Sequence, residues 1–189
     1  MARISLLTQE KAPPEAQEVF RRLEARGARV VNIYRALAHS RGAMLHFMRL
    51  GNTLLERCHL DHRLRELAIL RVATLTGSQY EWAQHVTLAR ECGVSAEQME
   101  AIGQWRTSPA FDARDRAVLA YTDEVAQKVQ VGDDTFREVS RYLDEASIVE
   151  LTLSIGFWGM VARLLEALQV DLDPDLPGSS RDILGSRRQ

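Results

Sequence analysis

Cysteine is scarce in this chain. Cys58 and Cys92 are its two cysteines in 189 residues, and they stand far apart in sequence. That usage argues against a disulfide framework and suits a reducing compartment. An excess of one charge is also missing. The formal net charge is −2, with basic residues spread among acids, so nothing points to nucleic acid or to an anionic membrane surface. No apolar run reaches the ~18 residues needed to span a bilayer. The longest, from Leu151 to Ala162, is interrupted by Thr152, Ser154, Gly156 and Gly159. The N-terminus lacks a positive stretch followed by an apolar one, so no signal peptide is expected, and a cytoplasmic location is. There is no Gly-rich phosphate loop, no dinucleotide fingerprint and no serine-hydrolase elbow. No segment alternates as a strand would.

What the chain has is helical periodicity, which predicts an all-α fold in one domain over residues 1–170. Pro13-Pro14 opens a helix over Glu15–Arg26, and Gly27 stops it. Asn32 is the expected cap of a second helix to about His39. A third follows the Ser40-Arg41-Gly42 break and runs to about Cys58. Asp61 is placed to cap the next, and Thr76-Gly77-Ser78 breaks it. Gln79 to Cys92 follows, closed by Gly93. Ser95 and Gln98 form a capping-box pattern. Asp112 opens a long helix to about Val129, Gly132-Asp133-Asp134 caps one over Thr135–Leu143, and the last runs from Glu145 to about Gln169. The middle of that last helix is apolar all round, which predicts burial on several sides, in the core and in a subunit interface. Residues 171–189, with Pro174, Pro177 and Gly178, read as a flexible or subunit-embracing tail.

The stretch from Leu64 to Leu88 holds the chemistry. It is apolar and helix-patterned, yet carries Glu66, Glu81 and His85. Acids and histidines are costly to bury unless paired or put to use. Glu81 and His85 are four apart and share a helix face. The Thr76–Ser78 break lets the Glu66 helix fold back beside the His85 helix. A Glu/Glu/His cluster that handles protons is the expected result.

The segment Leu64-Arg65-Glu66-Leu67-Ala68-Ile69-Leu70-Arg71-Val72-Ala73, followed by Tyr80-Glu81-Trp82 and then His85, resembles the carboxymuconolactone decarboxylase family, which includes the alkylhydroperoxidase D proteins. The resemblance implies an all-helical, alkylhydroperoxidase D-like fold and a homotrimer or homohexamer. The peroxidase branch carries a Cys-x-x-Cys between its Glu and its His. Here Ser78 and Glu81 occupy those positions, so the dithiol that peroxide reduction needs is absent from them.

These residues and the resemblance together predict a cofactor-free, metal-free enzyme acting on a small carboxylated or carbonyl substrate by lyase or decarboxylase chemistry. His85 is the expected acid/base, with Glu66 and Glu81 as relay and orienting groups. Arg71 is the expected anion holder, with Arg163 a second candidate, and Ser78, Tyr80 and Trp82 are expected around the substrate. Three alternatives stay open: a peroxiredoxin-like peroxidase using Cys58 or Cys92, a metal site on Glu66, Glu81 and His85, and a non-catalytic oligomer in which the same groups form a buried ion-pair network.

Overall fold

The computed structural model describes residues 1–40 and 42–174. Its described residues form helices and connecting turns, with no strand among them. The helices are α1 (Pro14–Ala25), α2 (Asn32–Leu37), α3 (Ala43–Glu56), α4 (His62–Thr76), α5 (Gln79–Glu91), α6 (Ala96–Ala101), α7 (Ala113–Lys128), α8 (Asp133–Val139) and α9 (Glu145–Leu168), with a 3-10 turn at Ile102–Gln104.

Helix α4 is the axle, packed against α5, α7 and α9. Every residue from Leu64 to Ala73 is buried, because neighbours cover all its sides. One apolar cluster lies on the side of α1–α3, α8 and α9, and a second lies between α4, α5, α6 and the start of α7. Local signals set the ends of α4. The Asp61 side chain accepts from the backbone N–H groups of Arg63 and Leu64. Gly77 adopts φ 68°, a conformation open to glycine, and turns the chain so that α5 returns along α4.

Two expected boundaries move. Asn32 is the first residue inside α2, and Val31 occupies the cap position without a capping side chain. The N-terminus of α2 is instead satisfied over a long range. Asn32 N–H donates to Asp173 at 2.9 Å, and Ile33 N–H donates to the Tyr80 hydroxyl at 3.2 Å. Helix α8 starts at Asp133 and ends at Val139, earlier at both ends than the pattern suggested. The expected tail begins as an anchored segment. Asp171 accepts from Ala2 N–H and pairs with the N-terminal ammonium, and Asp173 is buried. Residues 175–189, the rest of that expected tail, lie outside the described residues, as does Arg41 in the break before α3.

By length and composition, α9 is apolar enough to cross a membrane, with mean hydropathy 1.5 over its most apolar window. Within the fold it is a core helix. Leu151, Ile155, Trp158, Ala162 and Leu165 are buried. One face stays open: Val149, Leu153 and Met160 are each about half exposed, with exposed Gly156 between them. The core part of the expected burial is thus met on the inner faces.

Candidate functional site

A chain of hydrogen bonds crosses three helices. From α4, the Arg65 guanidinium donates to Glu66 Oε1 through Nε at 3.1 Å and Nη2 at 3.0 Å. Arg65 Nη1 donates to the carbonyls of Leu54 and Leu55 at the end of α3. Glu66 Oε2 lies 2.8 Å from His85 Nδ1 on α5. Trp158 Nε1–H, on α9, donates to His85 Nε2 at 2.7 Å. An indole nitrogen only donates. His85 Nε2 therefore accepts, which puts the ring proton on Nδ1 and directs it to the Glu66 carboxylate. The two rings meet edge to face, with centroids 5.4 Å apart.

Glu66 is fully buried. Burial pushes its carboxyl upward, but the hydrogen bond from His85, with the charge and hydrogen bonds of Arg65, outweighs this and holds it below the usual carboxylate range. Glu81 has the opposite environment one turn before His85. It is 1 % exposed, and neither carboxyl oxygen has a hydrogen-bond partner among the described residues. Burial, aided by the nearby negative charge of Glu166, drives its carboxyl well above the usual range. Two carboxyls that look alike in sequence are thus pushed in opposite directions, Glu66 toward its ionised form and Glu81 toward its protonated one.

Glu81 and His85 both line a partly open cavity of about 160 Å³ between α2, α3, α5 and α9. Phe47, Leu55, Leu88, Phe157, Val161 and Leu165 form much of its wall. Gly51 belongs to that wall for a steric reason, since a Cβ there would come 3.0 Å from the Phe157 ring. Tyr80 and Gln84 also line it, and both donate to Asp173. Burial, then Asp173, pushes the Tyr80 phenol upward, so it stays a neutral donor.

The expected site residues separate. Glu66, Glu81, His85 and Tyr80 come together, but Glu66 orients His85 from behind and Glu81 is not in hydrogen bond with either. Arg71 does not line the cavity. It pairs with Asp123 on α7, and its Nη1 donates to Ile102 and Gly103 carbonyls, so its donors are committed to joining α4 with α7. Arg163 Nη1 donates to the Gly159 carbonyl one turn earlier. Ser78 is fully buried ahead of α5, off the cavity wall. Trp82 faces the other way, into the second apolar cluster, where it borders a separate open groove with Val86, Met99 and Ile102. Among the described residues, no group of three or more His, Cys, Asp or Glu side chains forms a metal-ligand set.

Both cysteines are unpaired and partly buried, and neither lines the cavity. Burial raises both thiols, with Glu150 adding to the effect at Cys58 and Glu66 at Cys92. Three participants carried weak sequence signals. Arg65 is a cation in an apolar helix core, next to Glu66. Trp158 is a large aromatic in the last helix, readable as wall but not as a donor to His85. Asp173 lies in a segment that reads as tail.

Comparison with known proteins agrees with this architecture. Residues 41–124 match the model of the carboxymuconolactone decarboxylase family. The uncharacterized protein YnjA of Escherichia coli is 28% identical over 119 residues, which span 61% of this chain and 64% of that relative, just under two thirds of its length. A crystal structure from Agrobacterium tumefaciens, ATU0492, of unknown function and suggested to be an antioxidant defence protein AhpD, superposes with TM-score 0.68. It is 25% identical, covering 74% of this chain and 96% of that one. A peroxidase-related protein from a Silicibacter species gives TM-score 0.78 over 96% of this chain and 95% of its own. Its 18% identity makes it a likeness of fold. With the helical core, the family match and these neighbours in agreement, the chain has an alkylhydroperoxidase D-like fold in which residues 41–124 match the carboxymuconolactone decarboxylase family, with Ser78 and Glu81 where the sequence resemblance places the Cys-x-x-Cys positions.

Proposed function

We propose that this protein is a thiol-free acid–base enzyme that interconverts a small carbonyl compound and its enol, a step whose reverse, protonation of the enol carbon, is also the last step of a decarboxylation. The observation that carries this reading is Glu81, a buried carboxyl whose oxygens have no hydrogen-bond partner among the described residues, on the wall of the same cavity as a histidine whose tautomer is fixed by its neighbours. Paired titratable groups held in opposite environments are the usual arrangement for such chemistry. Glu81 donates its proton to the substrate carbonyl oxygen. His85 Nε2 takes the proton from the adjacent carbon once the substrate displaces the Trp158 N–H. The C–H electron pair becomes the enol double bond, and the carbonyl π pair becomes the new O–H bond. Glu66 stabilises the imidazolium through Nδ1–H, and Arg65 holds Glu66 ionised.

Peroxidase chemistry is the weaker reading, because both thiols are pushed away from the reactive thiolate and neither faces the cavity. The exposed Val149–Leu153–Met160 face of α9 supports the homo-oligomer that the family resemblance implies.

The test is deuterium uptake at the α-carbon of cyclohexanone in D2O. Wild type is expected to catalyse it, and Glu81→Leu and His85→Ala are expected to lose it. If all three proteins leave the ketone at the uncatalysed rate, the proton-transfer reading fails and the non-catalytic oligomer replaces it.

A further inference from the structure

We propose that the cavity selects neutral single-ring carbonyl compounds and rejects carboxylates. This rests on the reading of Glu81 given above and narrows it.

Size comes first. An apolar cavity of about 150 Å³ is known to take benzene. The cavity here, at about 160 Å³, has room for one six-membered ring. Its walls are mostly aliphatic and aromatic, with Asn52, Gln84, Glu81 and His85 as polar exceptions, which favours a hydrocarbon frame carrying one polar group.

Charge comes second. Among the described residues, no Lys or Arg lines the cavity. The nearby cations are spoken for: Arg65 holds Glu66 and two carbonyls, and Arg71 holds Asp123 and two others. A carboxylate entering the cavity would leave water and meet no cation. Glu81 has no positive charge to offer it, and Glu166 adds negative potential nearby. Burying an unpaired anion in such surroundings is strongly unfavourable. The carboxylated half of the substrate expectation therefore drops out.

Hydrogen bonding comes third. Both oxygens of Glu81 lie just beneath the cavity wall with no hydrogen-bond partner among the described residues, so a turn of the side chain into the cavity is what would bring the carboxyl to a ligand. A ligand that supplies a carbonyl oxygen gives its proton an acceptor. His85 cannot compete, since Nδ1 donates to Glu66 and Nε2 accepts from Trp158. A ring lacking an acceptor would fill the space and leave Glu81 unpaired.

Four probes of one ring size separate these points: cyclohexanone, methylcyclohexane, cyclohexanecarboxylate and cyclohexylammonium. Binding is followed by the Trp158 indole resonance in NMR titrations. Cyclohexanone is expected to bind about fivefold more tightly than methylcyclohexane, the worth of one net hydrogen bond. The carboxylate is expected to bind on the order of a hundredfold more weakly than the ketone. Glu81→Leu is expected to erase the ketone preference, and Glu81→Gln, which retains an N–H donor, to keep it. A preference for the carboxylate, a preference for the ammonium ion, equal binding of all four, or binding of none overturns the proposal. The two proposals fail separately. Ketone-selective binding without deuterium uptake refutes proton transfer and leaves the ligand class standing. Deuterium uptake with carboxylate-selective binding does the reverse.

Discussion

Replacing Glu81 by leucine should stabilise the protein. The side chain is 1 % exposed, neither oxygen has a partner among the described residues, and most of the cavity wall around it is apolar. A buried polar group without a partner costs about 1–3 kcal/mol by mutational measures. Leucine removes that cost and adds apolar contact in similar volume. The expected gain is about 1–3 kcal/mol at neutral pH, or about 2–4 °C in Tm per kcal/mol for a chain of this size. Linkage fixes how the gain varies with pH. The folded carboxyl binds its proton more tightly than the unfolded one. Its contribution is therefore most favourable below the unfolded value, about 4.3. That contribution is lost as pH rises from there through the folded value. The advantage of Glu81→Leu should accordingly be small in acid and grow toward neutral and alkaline pH. Urea unfolding of both proteins at several pH values and one fixed protein concentration measures this. A Glu81→Leu variant less stable than wild type by more than about 1 kcal/mol at neutral pH, with an unchanged urea slope, would refute the reasoning, since the carboxyl would then be making contacts that hold the fold.

Glu66 should behave in the opposite sense. Glu66→Ala leaves the Arg65 guanidinium buried without its carboxylate and His85 Nδ1–H without its acceptor. It should cost about 3–5 kcal/mol, read from the denaturant midpoint. Because the folded Glu66 carboxyl is held low, its stabilisation is present above the unfolded value and lost as pH falls through the folded one, so Glu66→Ala should flatten the acid limb of the stability profile. Nitrogen-15 NMR of His85 should find the ring proton on Nδ1, and a dominant Nε2–H form would contradict the Trp158 contact. A Cys58→Ser/Cys92→Ser double variant should keep the deuterium uptake of wild type and show the same absence of dithiol-dependent hydroperoxide turnover.

Most of the fold was legible where local chemistry decides it. Asp61, Gly77, Ser95 and Asp112 sit where helices begin and end, each through its own cap hydrogen bond or backbone conformation. Asn32 misled because its helix is capped by Asp173 from the far end of the described chain, a partner that no local pattern reveals. The site was legible in its residues and not in their roles. Glu66, Glu81 and His85 stand out as polar groups in apolar helices, but only the fold shows that Arg65 and Trp158 complete the chain through His85 and leave Glu81 alone. Arg71 looked free to hold an anion because Asp123, which pairs with it, lies on a helix distant in sequence. Trp82 and Tyr80 are two apart, so on one helix they face different clusters, and the sequence alone does not say which of them meets the cavity.

The account turns on one proton. Isotope-edited infrared spectroscopy of protein carrying carbon-13 glutamate, with the Glu81→Gln spectrum subtracted, reads the protonation of Glu81 directly. At about pH 7 the difference should contain the C=O band of a protonated carboxyl, and saturating cyclohexanone should shift that band as the acid takes up a hydrogen bond. A difference spectrum with carboxylate bands alone would contradict the account, because Glu81 would then have no proton to give.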